Sequence, residues 1–116
     1  MLAFPKPKDE KRTAADPVTT YPDGREVCNL STKEGKLRYK HNLTLMWVAQ
    51  NGKCGLMLHG ECKKFPLIFL GDATFDHGIP RGMGGANRDD RPFVNGNCAA
   101  CLRCNQLKGS RRKEAL

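Results

Sequence analysis

The sequence predicts a small α+β domain: a helix, two short strands around a long irregular loop, and a closing helix beside a cysteine knuckle. Three observations carry this. The chain has 116 residues, room for one domain with a thin core. Two short runs, 65–70 and 73–77, hold apolar, β-branched and aromatic residues around Gly71-Asp72, which reads as two strands about a turn. A helix-compatible stretch then follows the pair Cys101 and Cys104 near the end of the chain.

Residues 1–20 carry Pro, Lys, Asp and Thr with little apolar content and read as a flexible lead-in, leaving 21–116 as the single domain. Residues 21–39 are mixed and turn-rich, with Pro22-Asp23-Gly24 as the turn signal. A helix is expected over 43–50, stopped by Asn51-Gly52, with Trp47 packing the core. Residues 78–93 contain four glycines and two prolines, so they read as a long loop of the functional kind. Residues 97–100 return as a short strand, with Cys98 buried in it, and 102–113 form a helix that Gly109 frays or ends. No internal repeat is present.

Lys and Arg number 20 against 12 Asp and Glu, a net charge of +8, which is the footprint of a polyanion binder. No basic amphipathic helix and no long apolar run points to a membrane. Six cysteines could form disulfides in a secreted protein, but residues 1–10 show no apolar signal core. A reduced, cytoplasmic protein is the expectation (host cytoplasm if phage-encoded), and the Cys-x2-Cys pair then reads as a metal site.

The chemistry concentrates in two segments. Asp76-His77 puts an anionic oxygen donor beside a proton acceptor. Of the three histidines, His41, His59 and His77, only His77 follows an aspartate and precedes a glycine-rich loop. Neutral imidazole accepts a proton near pH 7 without a shifted pKa, which suits a general base. In a regular strand Asp76 and His77 face opposite sides, so both serve one phosphate only if the strand ends or bulges there. The second segment, Cys101-x2-Cys104-Asn105-x2-Lys108-Gly109, supplies a knuckle, an amide oxygen and a cation.

With the loop Arg81-Gly82-Met83-Gly84-Gly85 and an asparagine between them, these residues resemble the HNH endonuclease family over roughly residues 50–112. The resemblance implies a ββα-metal core that hydrolyses DNA, most simply double-stranded, acting as a monomer or weak dimer. It implies His77 as general base, and Asp76 and Asn105 as hard oxygen ligands of a catalytic Mg²⁺ or Mn²⁺. The middle asparagine, which holds the loop by bonding to backbone, is Asn97, with Asn95 the alternative. Phosphate contacts fall to Lys108 and Arg112 on the face of Asn105, to Arg103 and Arg111 beside them, and to Arg81 and Arg88 in the loop. Family members also carry a structural zinc. Here Cys54 opens the second knuckle, but Met57 stands at its partner position. Cys62 or His59 completes the site, and Cys54, Cys62, Cys101 and Cys104 are the expected set, since four-thiolate sites are common in closed structural centres. The competing expectation is a non-catalytic zinc module that binds nucleic acid. A basic, disulfide-bonded secreted binder is a third, disfavoured by uneven cysteine spacing.

Overall fold

The computed structural model describes residues 16–81 and 87–112. The lead-in up to residue 15, the centre of the glycine loop at 82–86 and the last four residues lie outside the described residues. The first element is a hairpin of β1 (Val18–Thr20) and β2 (Glu26–Cys28), antiparallel, with Val18 opposite Cys28. Its turn is the expected one at Pro22-Asp23-Gly24, closed by the Gly24 amide on the Tyr21 carbonyl at 2.9 Å. Residues 18–20 thus belong to a strand rather than to the flexible lead-in expected over 1–20. Their β-branched Val-Thr-Thr run favours extension, and the turn delivers a partner.

Helix α1 runs Lys33–Ala49, ten residues earlier than the expected start. Its N-terminus is capped by Thr32, whose hydroxyl accepts from the Gly35 amide at 2.9 Å. It ends where expected, at Asn51-Gly52, with both residues at positive φ (58° and 73°). Leu43 and Met46 are buried against Phe75 and Ala99, with Tyr39 and Trp47 packed alongside. Trp47 also donates its indole N–H to the Ile68 carbonyl at 2.8 Å, anchoring the chain that follows.

A short helix α2, Gly60–Lys64, comes next and was not expected. Residues 65–70 do not form the first strand of a ladder: they make a single bridge, Lys53 to Leu67, and Leu70 opens a 3-10 turn over Leu70–Asp72. Pro66 lacks an amide proton, and Phe65, Leu67 and Phe69 all face outward. The hairpin that matters comes after it: β3 (Ala73–Asp76) pairs antiparallel with β4 (Cys98–Cys101), with Ala73 opposite Cys101 and Asp76 opposite Cys98. Helix α3 (Leu102–Lys108) leaves β4 directly and stops short of the expected residue 113. Gly109 turns the chain at φ 59°, its amide returning to the Asn105 carbonyl at 3.1 Å.

The result is a small mixed α+β domain of three helices and two small antiparallel sheets. Among the described residues no helix is long and apolar enough to cross a membrane. The β3–β4 hairpin sits between α1 and α3, and its two ends carry two different clusters of chemically active side chains.

Candidate functional site

At the Ala73–Cys101 end, Cys54, Cys62, Cys101 and Cys104 come together with their Sγ atoms all within 4.8 Å of one another. This is the ligand set expected from the sequence, and it can hold a metal such as zinc. Each cysteine arrives from a different local structure. Cys54 follows the α1 stop, Cys62 sits in α2, Cys101 ends β4 and Cys104 lies in the first turn of α3. Backbone amides point at the sulfurs: Met57 and Cys101 donate to Cys54 Sγ at 3.5 and 3.4 Å, and Leu58 to Cys104 Sγ at 3.2 Å. Met57, at the knuckle position where a ligand was absent, contributes its amide instead, and it adopts a positive φ of 50°.

The thiols do not titrate alike. Burial pushes Cys54 up, but the amides of Met57, Cys101 and Leu56 outweigh it, so its pKa falls below the ordinary thiol value. Cys62 is driven strongly upward, by burial first and then by Cys54 and Cys104 beside it. Four sulfurs this close repel one another as thiolates, and a bound cation removes that repulsion. His59, the alternative ligand, is not in the cluster but against it. Its Nε2 lies 3.3 Å from Cys101 Sγ, and its Nδ1 accepts from the Cys62 amide at 3.2 Å, capping α2.

At the opposite end of the hairpin, Asp76, His77 and Asn105 line one cleft of about 470 Å³, together with Tyr39, Arg81 and Lys108. The alternation problem at Asp76-His77 resolves as the sequence required: β3 ends at Asp76 and His77 lies beyond it. Gly78 makes the sharp departure possible. A Cβ there would stand 2.1 Å from the Asn95 carbonyl oxygen, so no other residue fits without moving backbone. Asn97 closes the same corner. It accepts from the Gly78 amide at 3.0 Å and donates to the carbonyls of Asp89 and Arg91 at 2.9 and 2.8 Å. Asn95 instead donates to the Asp89 carboxylate at 3.2 Å.

Asn105 donates its amide to Thr74 Oγ1 at 3.0 Å and to the Phe75 carbonyl at 3.3 Å. That orientation leaves its carbonyl oxygen as the group it offers to the cleft. The Asp76 carboxylate and the Asn105 oxygen are therefore two hard donors in one cleft, a set that fits a hard divalent cation.

The His77 ring is held by two partners. It stacks on Phe75 at 4.6 Å, Phe75 stacks on Tyr39 at 4.9 Å, and Nε2 lies 2.8 Å from Asp90 Oδ1. Asp90 is fully buried. Burial raises its carboxyl pKa, but the hydrogen bonds from His77, Arg88 and the Cys28 amide more than reverse this and leave it below the usual range. The Tyr39 phenol is pushed up to about 12, by burial and then by the Asp90 charge.

The cations divide into two groups. Lys108, expected on the face of Asn105 as a phosphate contact, lines the same cleft as Asn105 but is 2% exposed. Its ammonium donates to the His77 carbonyl at 2.9 Å and lies 3.3 Å from Asp76 Oδ1. A buried charge must be paired, and Asp76 is its partner. Arg88 is likewise turned inward, 2.7 Å from Asp90 and 3.0 Å from the Cys28 carbonyl. Arg81, Arg103, Arg111 and Arg112 are exposed. Of these, Arg81 lines the cleft. Arg111 donates to the last carbonyls of α3, Leu107 and Lys108, at 2.7 and 3.1 Å. Arg112 lies past the end of α3, so it does not share a helix face with Asn105. Arg103, two positions before Asn105, falls on the far side of the helix.

Comparisons with protein-family models, with curated proteins and with solved structures return no match. The site therefore has to be read from its own geometry. Sequence reasoning missed Asp90, Tyr39, the inward role of Arg88, and Asn42, whose side-chain amide donates to the Asp90 carbonyl at 2.8 Å. The one available signal was the charged run Arg88-Asp89-Asp90-Arg91 inside a loop otherwise rich in glycine and proline. No spacing rule ties such a run to a histidine eleven or more residues earlier.

Proposed function

We propose that the chain is a metal-dependent endonuclease of the HNH type, built on a ββα-metal core of β3, β4 and α3, which hydrolyses phosphodiester bonds of double-stranded DNA. The observation that carries this reading is the single cleft in which Asp76, Asn105 and a braced His77 converge. Asp76 and Asn105 would hold Mg²⁺ or Mn²⁺, which supplies charge neutralisation at the scissile phosphate. His77 takes a proton from the attacking water as its oxygen bonds to phosphorus, one of the phosphate's ester P–O bonds breaks, and the departing oxygen leaves as a hydroxyl after taking a proton from solvent. Asn97 keeps His77 in register by holding the backbone at Gly78. The cysteine cluster would hold a structural zinc that supports the other end of the sheet, away from the cleft.

The test is supercoiled plasmid incubated with Mg²⁺, with Mn²⁺, or after brief chelation with EDTA. Conversion to nicked or linear forms is expected only with the divalent ion, and must return when Mg²⁺ is added back. Undiminished cleavage in EDTA, or no cleavage with any metal, overturns the reading.

A second reading, a non-catalytic zinc module that binds nucleic acid, is favoured by one observation. The Lys108 ammonium already neutralises Asp76, where a cation would otherwise bind. Tight DNA binding with no cleavage under any metal singles it out.

Both readings predict salt-sensitive DNA binding. The exposed arginines 81, 103, 111 and 112 are the phosphate contacts, and four such contacts give a log–log salt slope of roughly −3 to −4. Lys108→Met should leave that slope unchanged, because its charge is engaged inside the domain. A slope near zero in a binding titration at several salt concentrations counts against the electrostatic footprint.

A further inference from the structure

We infer that Asp90 is a positioning residue that holds the His77 imidazole as its Nε2–H tautomer, so that Nδ1 becomes the ring's proton-accepting atom. The inference rests on the reading of His77 as general base, and it names the group that makes that base competent.

The geometry is built rather than incidental. Asp90 Oδ1 lies 2.8 Å from His77 Nε2. Asp90 itself has no freedom to turn away. The Arg88 guanidinium holds its carboxylate at 2.7 Å, and the Cys28 amide donates to Oδ2 at 2.8 Å. Its backbone is tied as well: Asn42 of α1 donates to its carbonyl at 2.8 Å, and its amide donates to Glu26 of β2 at 2.7 Å. The hairpin and the long helix at the front of the chain thus both hold this one residue, through its backbone and its carboxylate.

An ionised carboxylate only accepts hydrogen bonds. The hydrogen in the His77–Asp90 bond must therefore sit on Nε2. In a neutral imidazole the other nitrogen then carries the lone pair. Stacking on Phe75 keeps the ring plane in place while the bond sets the tautomer. With Asp90 neutral and amidated the logic inverts. Arg88 and the Cys28 amide are both donors, and they compete for the one remaining oxygen. The amide NH₂ is then left facing Nε2, which can only accept it as the lone-pair nitrogen, and the proton moves to Nδ1.

The experiment reads the His77 ring nitrogens by long-range proton–nitrogen NMR in the intact, substrate-free protein. Plasmid nicking is followed in parallel. The wild-type ring is expected protonated at Nε2. Asp90→Asn is expected to move the proton to Nδ1 and to lower turnover by roughly 10²–10⁴-fold with KM little changed. Asp90→Glu, which keeps an acceptor-only group, should restore the tautomer and part of the turnover. Arg88→Gln is the control: it removes the carboxylate's charged partner, leaves the Cys28 amide in place, and should leave the tautomer as it was. A wild-type ring protonated at Nδ1 overturns the inference. So does Asp90→Asn with tautomer and turnover unchanged, or Arg88→Gln that loses turnover equally with its tautomer intact. If Asp90→Asn does not fold, the wild-type and Asp90→Glu spectra still decide. The two readings fail separately: an Nε2–H ring in a protein that cuts no DNA sinks the nuclease and keeps the Asp90 assignment, while an active protein with an Nδ1–H ring does the opposite.

Discussion

Cys104→Ser is expected to leave the domain unfolded at 25 °C, and the purified wild-type protein to carry a single zinc per chain. Cys104 is fully buried at the centre of the thiol cluster and belongs to the small apolar group formed with Cys54, Cys62 and Ala100. Structural zinc in small domains contributes about 10 kcal/mol or more of folding free energy. A whole domain is stable by about 5–15 kcal/mol, so losing the metal removes most or all of it. Cys54→Ser, Cys62→Ser and Cys101→Ser should behave alike. Two controls separate ligand loss from ordinary disturbance. Cys28→Ser should be mild, because Cys28 lies outside the cluster on β2. His59→Ala should remain folded, losing the α2 cap at about 1 kcal/mol together with a contact to Cys101. Circular dichroism and elemental analysis check all of these. A folded, active wild-type protein with no zinc would remove the structural-metal assignment and leave the cleft to stand alone.

The second large effect is His77→Ala, for which nicking is expected to fall roughly 10²–10⁴-fold with DNA affinity nearly intact. In the proposed mechanism the imidazole is the proton acceptor, and the phosphate contacts come from exposed arginines. The substitution should also be tolerated by the fold. Asp90 keeps Arg88 and the Cys28 amide, so its buried carboxylate is not left unpaired. If affinity falls in step with activity, His77 is a structural residue, and the general-base role is lost.

The parts of this molecule that follow local chemical rules were legible. The resemblance pointed to a second knuckle at Cys54, and the frequency of four-thiolate sites favoured Cys62 over His59; the structure brings the same Cys54, Cys62, Cys101 and Cys104 together. The β3 and β4 strands were found within a residue or so from their short apolar and β-branched runs. The first half of α1 was not, because Lys33 to Lys40 shows no apolar stripe; its helicity comes from the Thr32 cap and from continuation into Leu43 and Met46. The 65–70 run misled because hydrophobicity there is not matched by burial. Lys108 and Arg88 were expected to contact phosphate, and only tertiary structure reveals the buried carboxylates of Asp76 and Asp90 that pair with them. Asp90 was invisible for the same reason: a long-range partner leaves no periodicity.

One feature of the hairpin bears on how the protein is made. Two of the four thiols, at 54 and 62, emerge early during synthesis. The other two, at 101 and 104, emerge only with β4 and the first turn of α3. β4 also supplies Cys98, paired opposite Asp76, while Asn105 follows on α3. The cluster and the cleft are therefore completed by the same few residues, at the same moment. A ribosome that aborts before residue 98 releases a product lacking half of the thiols and an oxygen donor of the cleft. No truncated product of that kind can assemble either the cluster or the complete cleft.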